Sequence, residues 1–249
     1  MLSDEPTPAP FVYRADVYSG AARIRFLIHR ARHPVERTPV IMTQYQIINT
    51  QSRHAPTIAA ISYCDDPDDE TVFHAHHIRA HVQRFPQGQF TALCEGRVVG
   101  YATTMRTNRP PSARPLPWLQ AVGDMRLSAH HPRGEWLYGV DFYVHPDFRR
   151  RGIGSALYRA RFDLVKRLGL KGFYAGGMLA GYHRYCQQMT ASDYGERVRR
   201  REITDPTITM QMNRGFRPQG VIENYVSGLP AYSSAMLIVW DNPTATGVN

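Results

Sequence analysis

The segment from residue 136 to residue 168 limits the fold of this chain more than any other part of its sequence. Trp136 to Val144 reads Trp-Leu-Tyr-Gly-Val-Asp-Phe-Tyr-Val, an apolar and aromatic run of the kind found in buried β-strands. After a polar loop, residues 152–168 space their apolar side chains along one helix face, at Ile153, Ala156, Leu157, Ala160, Leu164 and Leu168. The sequence therefore predicts a strand, a loop and a packed helix in direct succession, the building unit of a sheet covered by helices.

Further strands and helices are predicted along the rest of the chain. Strands are expected at residues 57–63, 89–94, 98–104, 171–175, 217–226 and 234–240, and helices at residues 71–85, 182–203 and 206–213. The hairpin between residues 89 and 104 turns at Glu95-Gly96-Arg97, where glycine suits a tight turn. Because strands stand before, between and after helices, the predicted fold class is α/β or α+β.

Two regions are expected from the change in pattern along the chain. Residues 1–54 are interpreted as an N-terminal extension, and residues 55–249 as the main domain. Within the extension, Ala21–His33 fits a strand when its side chains are read with a period of two. An added edge strand or a loose tail is favoured for this extension over an arm that binds a partner.

Composition excludes a membrane-spanning or disordered chain. Hydrophobic residues make up 43% of the 249 residues, which is enough for a sizeable core. The longest apolar run, Ala235–Trp240, is far shorter than the roughly 20 residues that a membrane helix needs. Residues 1–10 contain two acids and three prolines instead of a basic stretch and an apolar core, so no signal peptide is expected and the predicted location is cytoplasmic.

Neither the cysteines nor the histidines predict a metal site. The chain has 3 well separated cysteines and no Cys-x-x-Cys pair, so no disulfide framework or structural zinc is expected. His74, His77 and His81 share a helix face, but the glutamate of a His-Glu-x-x-His metalloprotease motif is missing. We expect these histidines to lie in the interior or on a solvated helix face.

The chain is strongly basic, and nearly all of its basic residues are arginine. Its formal net charge is +9, and only Lys166 and Lys171 among the 30 basic residues are lysine. Positive charge of this size favours anionic partners such as phosphates and nucleotides. The densest basic run, residues 197–201, is flanked by Glu196 and Glu202, so a solvated helix end is favoured there over a nucleic-acid contact.

The loop between the strand and the helix carries the clearest chemical signal. Arg149, Arg150 and Arg151 precede Gly152 and Gly154 at the start of the helix. A helix N-terminus has unpaired N–H groups and a partial positive charge, and glycines let the backbone approach a bulky anion. The loop therefore predicts a site for a phosphate or pyrophosphate group.

Two other phosphate-binding motifs do not fit this loop. A dinucleotide-binding fingerprint needs a third glycine where Leu157 stands, and the 7 residues from His145 to Arg151 are too many for its tight turn. A P-loop is excluded because the chain has no Gly-Lys-Ser/Thr sequence. Hydrolase chemistry is not expected either. The chain has no Gly-x-Ser-x-Gly elbow. A carbon–nitrogen hydrolase needs a glutamate, a lysine and a cysteine, but the two lysines of this chain lie within or just after the basic helix.

At these residues the chain resembles the GNAT superfamily of acetyl-CoA-dependent N-acetyltransferases. Arg149 to Gly154 matches that family's Arg/Gln-x-x-Gly-x-Gly/Ala signature, and the resemblance covers residues 57–240 in the order of the elements. Phe85–Phe90, Tyr138–Asp141 and Asp205-Pro206 are similar to a bacterial subgroup of GNAT domains that stand alone or are fused to a carbon–nitrogen hydrolase. We expect the 249 residues to hold the acetyltransferase domain without such a second domain.

The resemblance implies a GNAT fold, which is a mixed central sheet splayed between its fourth and fifth strands with flanking helices. It also implies acetyl-CoA as co-substrate and no metal. In the family, the backbone of the fourth strand holds the pantetheine arm, and the amides of the signature loop hold the pyrophosphate. The matching positions are Phe142, Tyr143 and Val144 on the strand and Arg149, Arg150, Arg151, Gly152, Ile153, Gly154 and Ser155 in the loop.

The resemblance does not fix the residues that move protons. Asp141 is the preferred candidate for the general base, with Tyr138 as the alternative, and the two point to opposite faces of the strand unless a bulge intervenes. Many family members place the acid, a tyrosine, four residues before a late Gly-Phe pair, where this chain has Gln211. The open substitutes for that acid are Tyr182, Tyr185 and Tyr225.

The implied function is direct transfer of the acetyl group of acetyl-CoA to an amine, without a covalent enzyme intermediate. Protein lysine, a polyamine, an amino acid and other aminated metabolites are all open as acceptors, and residues 108–134 and 178–205 are the candidate specificity segments. The alternatives are a GNAT-like module that binds an acyl-CoA without turnover and, less favoured, an arginine-rich protein that binds nucleic acid. A homodimer is left open, because dimers are common in the superfamily, and no membrane partner is implied.

Overall fold

The computed structural model describes residues 45–62, 72–227 and 230–245, and the strand predicted at residues 21–33 lies outside them. Within the described residues one sheet is built from β1 (Tyr45–Asn49), β2 (Gln89–Cys94), β3 (Arg97–Thr107), β4 (Trp136–Val144), β5 (Gly172–Met178), β6 (Arg217–Ile222) and β7 (Ala235–Asp241). Across the sheet the strands lie in the order β1-β2-β3-β4-β5-β7-β6. The β4–β5 pair is parallel and the other neighbouring pairs are antiparallel, so the sheet is mixed.

Helices cover both faces of this sheet. They are α1 (Ala55–Ser62), α2 (Ala75–Arg84), α3 (Trp118–Val122), α4 (Ile153–Arg167), α5 (Ala191–Arg199), α6 (Ile208–Met212) and α7 (Pro230–Ser233). Leu157 of α4 and Phe173 of β5 belong to the core on one face. Ile58, Ile78 and Trp118 bring α1, α2 and α3 into a second core on the other face. In the part of the chain that the structure describes, no helix combines the length and the apolar character needed to cross a membrane.

The sheet begins inside the region that the sequence analysis assigned to an N-terminal extension. β1 pairs antiparallel with β2, so that Tyr45 lies opposite Cys94 and Asn49 lies opposite Phe90. Every described residue, from residue 45 onwards, belongs to one compact unit. Backbone hydrogen bonds therefore join β1, which lies within the predicted extension, to the sheet.

The strand predicted at residues 57–63 is wrong, since the described part of this segment is helical. α1 spans Ala55–Ser62, and its buried side chains Ile58 and Ile61 stand three residues apart on one face. A short apolar run of this kind fits a strand or a helix from its pattern alone. Pro56 favours the helix, because the first turn of a helix does not need the N–H that proline lacks.

The long helix predicted at residues 182–203 is interrupted. A 3-10 turn at Tyr182–Arg184 comes first, and α5 begins only after Thr190, whose Oγ1 accepts a hydrogen bond from a backbone N–H of the first turn at 3.1 Å. Within α5, Glu196 pairs with two of the arginines that follow it, at 2.6 and 2.7 Å. The basic run is therefore an exposed helix end that is partly neutralised by its own acid.

The sheet opens between β4 and β5. Their parallel pairing ends at the pair Gly139 and Ala175. Beyond that point, residues 141–144 of β4 pair with β3, whereas residues 176–178 of β5 pair with β7. The predicted splay between the fourth and fifth strands is therefore confirmed, together with the mixed sheet and flanking helices of the GNAT fold.

Removing β1 is expected to destabilise the domain, because β2 would become the edge of the sheet. A chain that begins at residue 55 exposes the backbone of β2, a strand in which 5 of 6 residues are buried. An unpaired apolar edge promotes association, so we expect this shortened chain to melt at a lower temperature and to aggregate. Circular dichroism and size-exclusion chromatography measure both effects, with a chain that begins at residue 42 as the control. Equal melting temperatures and elution volumes would contradict a stabilising role of β1.

Candidate active site

A cleft of ≈ 1180 Å³ lies where β4 and β5 separate. Tyr101 and Trp118 line it on one face of the sheet, and Tyr158 and Gln211 line it on the other. The cleft therefore passes through the sheet, at a place where the end of strand pairing leaves room for a ligand.

A β-bulge at Val140 brings the two candidate bases to the same face of β4. Neighbouring residues of β3 pair with Gly139 and Asp141, so Val140 is the extra residue between them. An extra residue shifts the alternation of the side chains by one position. Tyr138 and Asp141, which regular pleating would place on opposite faces, therefore both lie on the face that carries Tyr101.

Asp141 is half-buried in the cleft and is held by two hydrogen bonds. Its carboxylate accepts one from the hydroxyl of Tyr101 and another from the backbone N–H of Phe142, the latter at 2.7 Å. Burial, reinforced by this carboxylate, raises the pKa of Tyr101 well above its usual value. Tyr101 therefore remains a neutral donor, and Asp141 presents an oriented carboxylate to the cleft.

Tyr138 forms a buried pair with Tyr225. It is 4% exposed, and its hydroxyl lies 2.7 Å from the hydroxyl of Tyr225. Burial raises the pKa of Tyr138 well above its usual value, so the phenol is neutral near pH 7. Of this pair, Tyr225 lines the cleft and Tyr138 is not among the described residues that do.

The structure separates the tyrosines considered as substitutes for the missing acid. Tyr182 donates its hydroxyl hydrogen to the carbonyl of Met189 at 3.0 Å. Neither Tyr182 nor Tyr185 is among the described residues around the cleft. Tyr225 lies in the cleft, but on the face of the sheet that carries Asp141.

Tyr158 is a cleft residue that the sequence analysis missed. It lies on α4, and its hydroxyl accepts a hydrogen bond from Nε2 of Gln211 at 3.1 Å. Gln211 thus occupies the position, four residues before the late Gly-Phe pair, where many family members have a tyrosine, and its side chain contacts Tyr158. The Oε1 atom of Gln211 is buried, without a hydrogen-bond partner in the described part of the chain. Tyr158 is not among the residues predicted on the apolar face of this helix, and nothing in the sequence predicts its contact with α6.

The signature loop turns sharply into α4. Arg150 and Gly152 have left-handed backbone conformations, with φ angles of 62° and 85°. The N–H of Ala156 donates to the carbonyl of Gly152 at 3.0 Å, so the amides of residues 153–155 precede this first helical bond. Amides in that position lack acceptors within the helix and form a cradle for an anion.

The side chains of the loop differ in burial and in partners. Ile153 is 1% exposed, so it can offer a ligand only its backbone. The Nε atom of Arg149 donates to the carbonyl of Val144 at 2.9 Å, which ties the loop to the end of β4. Ser155 Oγ accepts a hydrogen bond from Arg214 at 2.8 Å. All three arginines of the loop, Arg149, Arg150 and Arg151, are exposed.

The candidate pantetheine-binding residues alternate between the two faces of β4. Phe142 and Val144 belong to the core on the α4 face, whereas Tyr143 belongs to the core on the opposite face. Phe142 and Tyr143 line the cleft. The segment therefore connects the cleft with the signature loop that follows it.

An aromatic wall closes the cleft on the face that carries Asp141. Trp118 Nε1 donates to the carbonyl of Val140, the bulge residue, at 2.9 Å. The ring centre of Phe73 lies 5.8 Å from that of Trp118 and 4.6 Å from that of His81. Trp118 comes from residues 108–134, one of the segments expected to select the acceptor.

The three histidines predicted on one face of a helix differ in depth. His81 is buried, His77 is half-buried and His74 is exposed at the start of α2. Across the described ranges, no group of three or more His, Cys, Asp and Glu side chains is arranged to hold a metal ion.

The sequence places this fold and this loop in a known family. Residues 50–183, more than half of the chain, match the acetyltransferase (GNAT) family. The chain therefore belongs to the GNAT family of acetyltransferases.

Two similar proteins come from Bacillus subtilis (strain 168). The probable hydrolase YhcX is 36% identical over 167 residues, which are 67% of this chain and 33% of that protein. The uncharacterized N-acetyltransferase YkwB is 28% identical over 173 residues, which are 70% of this chain and 76% of that protein. This chain thus spans about a third of the hydrolase-named relative, in agreement with the predicted subgroup.

A similar solved structure is the GphF GNAT-like decarboxylase in complex with isobutyryl-CoA. Its TM-score is 0.63 at 19% sequence identity, and the match covers 79% of this chain and 99% of that one. At this level of identity the likeness establishes the shared fold.

Acid is expected to destabilise the aromatic wall through His81. Burial lowers the pKa of His81 to about 4, from an ordinary value of 6.5 that applies in the unfolded chain. The unfolded chain therefore binds the proton more readily between these values. The contribution of neutral, buried His81 to the free energy of unfolding has its full value above pH 6.5. It decreases as the pH is lowered towards about 4 and is lost below that pH.

Urea denaturation at several pH values measures this effect. His81→Gln is expected to show a weaker pH dependence of the unfolding free energy between pH 4 and 6.5 than the unchanged protein. His131→Gln replaces an exposed histidine and is the control. The same pH dependence in His81→Gln and the unchanged protein would contradict the assignment.

Proposed function

We propose that this protein transfers the acetyl group of acetyl-CoA directly to an amine. The observation that carries the proposal is the continuity of β4, which passes along the cleft and leads into the anion cradle at the start of α4. A cleft through the sheet joined to an anion site suits a long ligand with a phosphate group at one end and a reactive thioester at the other. The similar fold of GphF in complex with isobutyryl-CoA supports a CoA thioester as that ligand.

The residues present fit a CoA thioester. Beyond Gly139, the edge of β4 that faces β5 has no strand partner, so Phe142–Val144 would hold the pantetheine arm there. The amides of residues 152–155, together with the preceding arginines, would hold the pyrophosphate. Gln211 Oε1 offers a buried acceptor to a ligand N–H. At Gly154 an added Cβ would come into van der Waals contact with the ring of Phe142, at 3.4 Å.

Asp141 is the proposed general base. Its carboxylate lies in the cleft and is oriented by Tyr101, whose hydroxyl stays protonated. It removes a proton from the acceptor ammonium, and the freed nitrogen forms a C–N bond to the acetyl carbon while the C–S bond breaks. Tyr138 is the weaker candidate, because burial opposes the phenolate that a base would require.

Tyr158 is the proposed proton donor to the departing thiolate. It lies in the cleft on the α4 face, and Gln211 orients its hydroxyl by donating to the oxygen. Because the hydroxyl oxygen of Tyr158 is the acceptor in this bond, its own hydrogen is available for donation to the thiolate. Tyr158 gives its hydroxyl proton to sulfur, and the second proton that the nitrogen loses as the amide forms restores this hydroxyl. The products are then the neutral amide, the CoA thiol and protonated Asp141.

The acceptor is proposed to enter on the face that carries Asp141. Phe73 and Trp118 line the cleft there, and aromatic faces attract cationic amines. A carboxylate beside two aromatic rings suits an ammonium group that must be held before it loses a proton.

A second candidate is a GNAT-like module that binds an acyl-CoA without transferring it. The family's usual acid position holds Gln211, and the similar fold of GphF belongs to a protein described as a decarboxylase. Tight binding of acetyl-CoA without CoA release in the presence of any amine would favour this candidate.

Titration calorimetry with acetyl-CoA tests the site at the signature loop. Gly154→Glu places a carboxylate at the helix N-terminus, where it repels phosphate, and we expect the affinity to fall roughly a hundredfold. Gln188→Glu makes the same change in net charge at an exposed position outside the cleft and is expected to bind as the unchanged protein does. Absence of binding by the unchanged protein would contradict the proposed function.

Kinetics of CoA release with a panel of amines tests the proton-transfer roles. Asp141→Asn removes the base while keeping its shape, so kcat/KM is expected to fall by roughly 10²–10⁴-fold. Tyr158→Phe is expected to lower kcat with little change in KM. Tyr138→Phe removes a hydroxyl outside the cleft and is expected to cost less than about tenfold. A larger loss in Tyr138→Phe than in Asp141→Asn would reverse the assignment of the base.

A further inference from the structure

Arg161 is a buried cation in the cleft with an unpaired N–H group. Its side chain, on α4, is 3% exposed and lines the cleft. Its Nε atom donates to the carbonyl of Leu157 at 3.2 Å. The guanidinium carbon lies 4.1 Å from the ring centre of Tyr158, 4.9 Å from that of Phe142 and 5.1 Å from that of Phe173. The Nη2 atom is buried, and the described residues provide no hydrogen-bond partner for it.

A guanidinium in this setting is unfavourable unless an anion balances its charge. Burial lowers the pKa of Arg161, yet arginine side chains remain protonated in proteins. The rings give cation–π attraction, but no carboxylate of the described ranges lies within 4.0 Å of the guanidinium. Tyr158 and, at longer range, Asp141 favour the charged form of Arg161, whereas Arg214 opposes it. The cleft therefore contains a positive charge and a donor group that a bound anion would satisfy.

Arg161 lies on the side of the sheet proposed for the thioester. It stacks on Tyr158 and Phe142, on the α4 face, whereas Asp141 accepts its hydrogen bond from Tyr101 on the opposite face. An acceptor amine carries a positive charge before it is deprotonated, so a guanidinium would repel it. An anionic group is therefore expected on the acyl-CoA rather than on the amine.

We propose that Arg161 binds a carboxylate at the end of the transferred acyl group. The cleft would then prefer acyl-CoA thioesters of dicarboxylic acids, such as malonyl-CoA and succinyl-CoA, to uncharged thioesters. This inference rests on the part of the proposed function that brings a CoA thioester into the cleft, and it replaces acetyl by a dicarboxylic acyl group as the preferred group. Nη2 of Arg161 could instead donate to an uncharged amide oxygen of the pantetheine arm. The experiment distinguishes the acyl carboxylate from this amide oxygen as the acceptor.

The experiment measures the binding of matched CoA thioesters to the full chain by titration calorimetry. Succinyl-CoA is compared with butyryl-CoA, and malonyl-CoA with propionyl-CoA, because each pair has the same number of acyl carbons and differs in the terminal carboxylate. A charge-assisted hydrogen bond predicts that the carboxylate member binds roughly tenfold to a hundredfold more tightly. In Arg161→Gln this ratio is expected to fall to about one, and Arg161→Lys is expected to retain part of it.

Two further variants control for net charge and folding. Arg167→Gln removes a positive charge from an exposed position on the same helix, and its ratio is expected to equal that of the unchanged protein. A buried charge without an ionic partner costs free energy that an apolar side chain of similar size does not. Arg161→Met is therefore expected to raise the melting temperature of the free protein, which also shows that the variant folds.

The outcomes separate this inference from the proposed function. Equal affinities of the unchanged protein for the charged and uncharged members of each pair would overturn the inference and leave the proposed function in place. An equal loss in Arg161→Gln for CoA, acetyl-CoA and every other thioester would also overturn it and would assign Nη2 to the pantetheine arm. Failure of CoA and of every thioester to bind would overturn the proposed CoA site itself.

Discussion

The arrangement of the molecule depends on the point at which β4 and β5 stop pairing. After Gly139 and Ala175 the two strands remain bound to their outer neighbours, β3 and β7, and these hold them apart. Backbone N–H and C=O groups in a protein interior need partners, so the open edge of β4 favours a ligand with polar groups of its own. In the proposed function, the pantetheine arm completes a sheet that the chain leaves open at its centre.

The bulge at Val140 gives this opening two chemically different sides. By shifting the alternation of side chains, it turns Asp141 towards Tyr101 and the aromatic wall. The opposite side presents Tyr158 and Arg161 from α4. The proposed base and the buried cation are therefore separated by the strand itself, which keeps a carboxylate on one side and a guanidinium on the other.

The features that could be predicted from the sequence are those whose signal lies within one continuous segment of the chain. β4, the signature loop and α4 follow one another, so strand pattern, glycines and helix periodicity could be read together. α1 was wrongly predicted as a strand, because its short apolar run fits both periods and only packing decides between them. β1 was left in the extension because its partner, β2, begins 40 residues after Asn49. Tyr158 and Arg161 were missed because their roles come from contacts between α4, β4 and α6.

Trp118 joins three parts of the chain that are distant in sequence. Its indole Nε1 donates to the carbonyl of Val140 at 2.9 Å, and its backbone N–H donates to the carbonyl of Tyr225 at 2.6 Å. The long segment 108–134 is therefore anchored to the bulge and to the chain that follows β6. A segment anchored in this way cannot be exchanged freely. Replacing all of it by the segment of a relative would remove the hydrogen bond that supports β4 at its bulge. In the proposed function, substitution around Trp118 is consequently expected to change the acceptor range more readily than replacement of the whole segment.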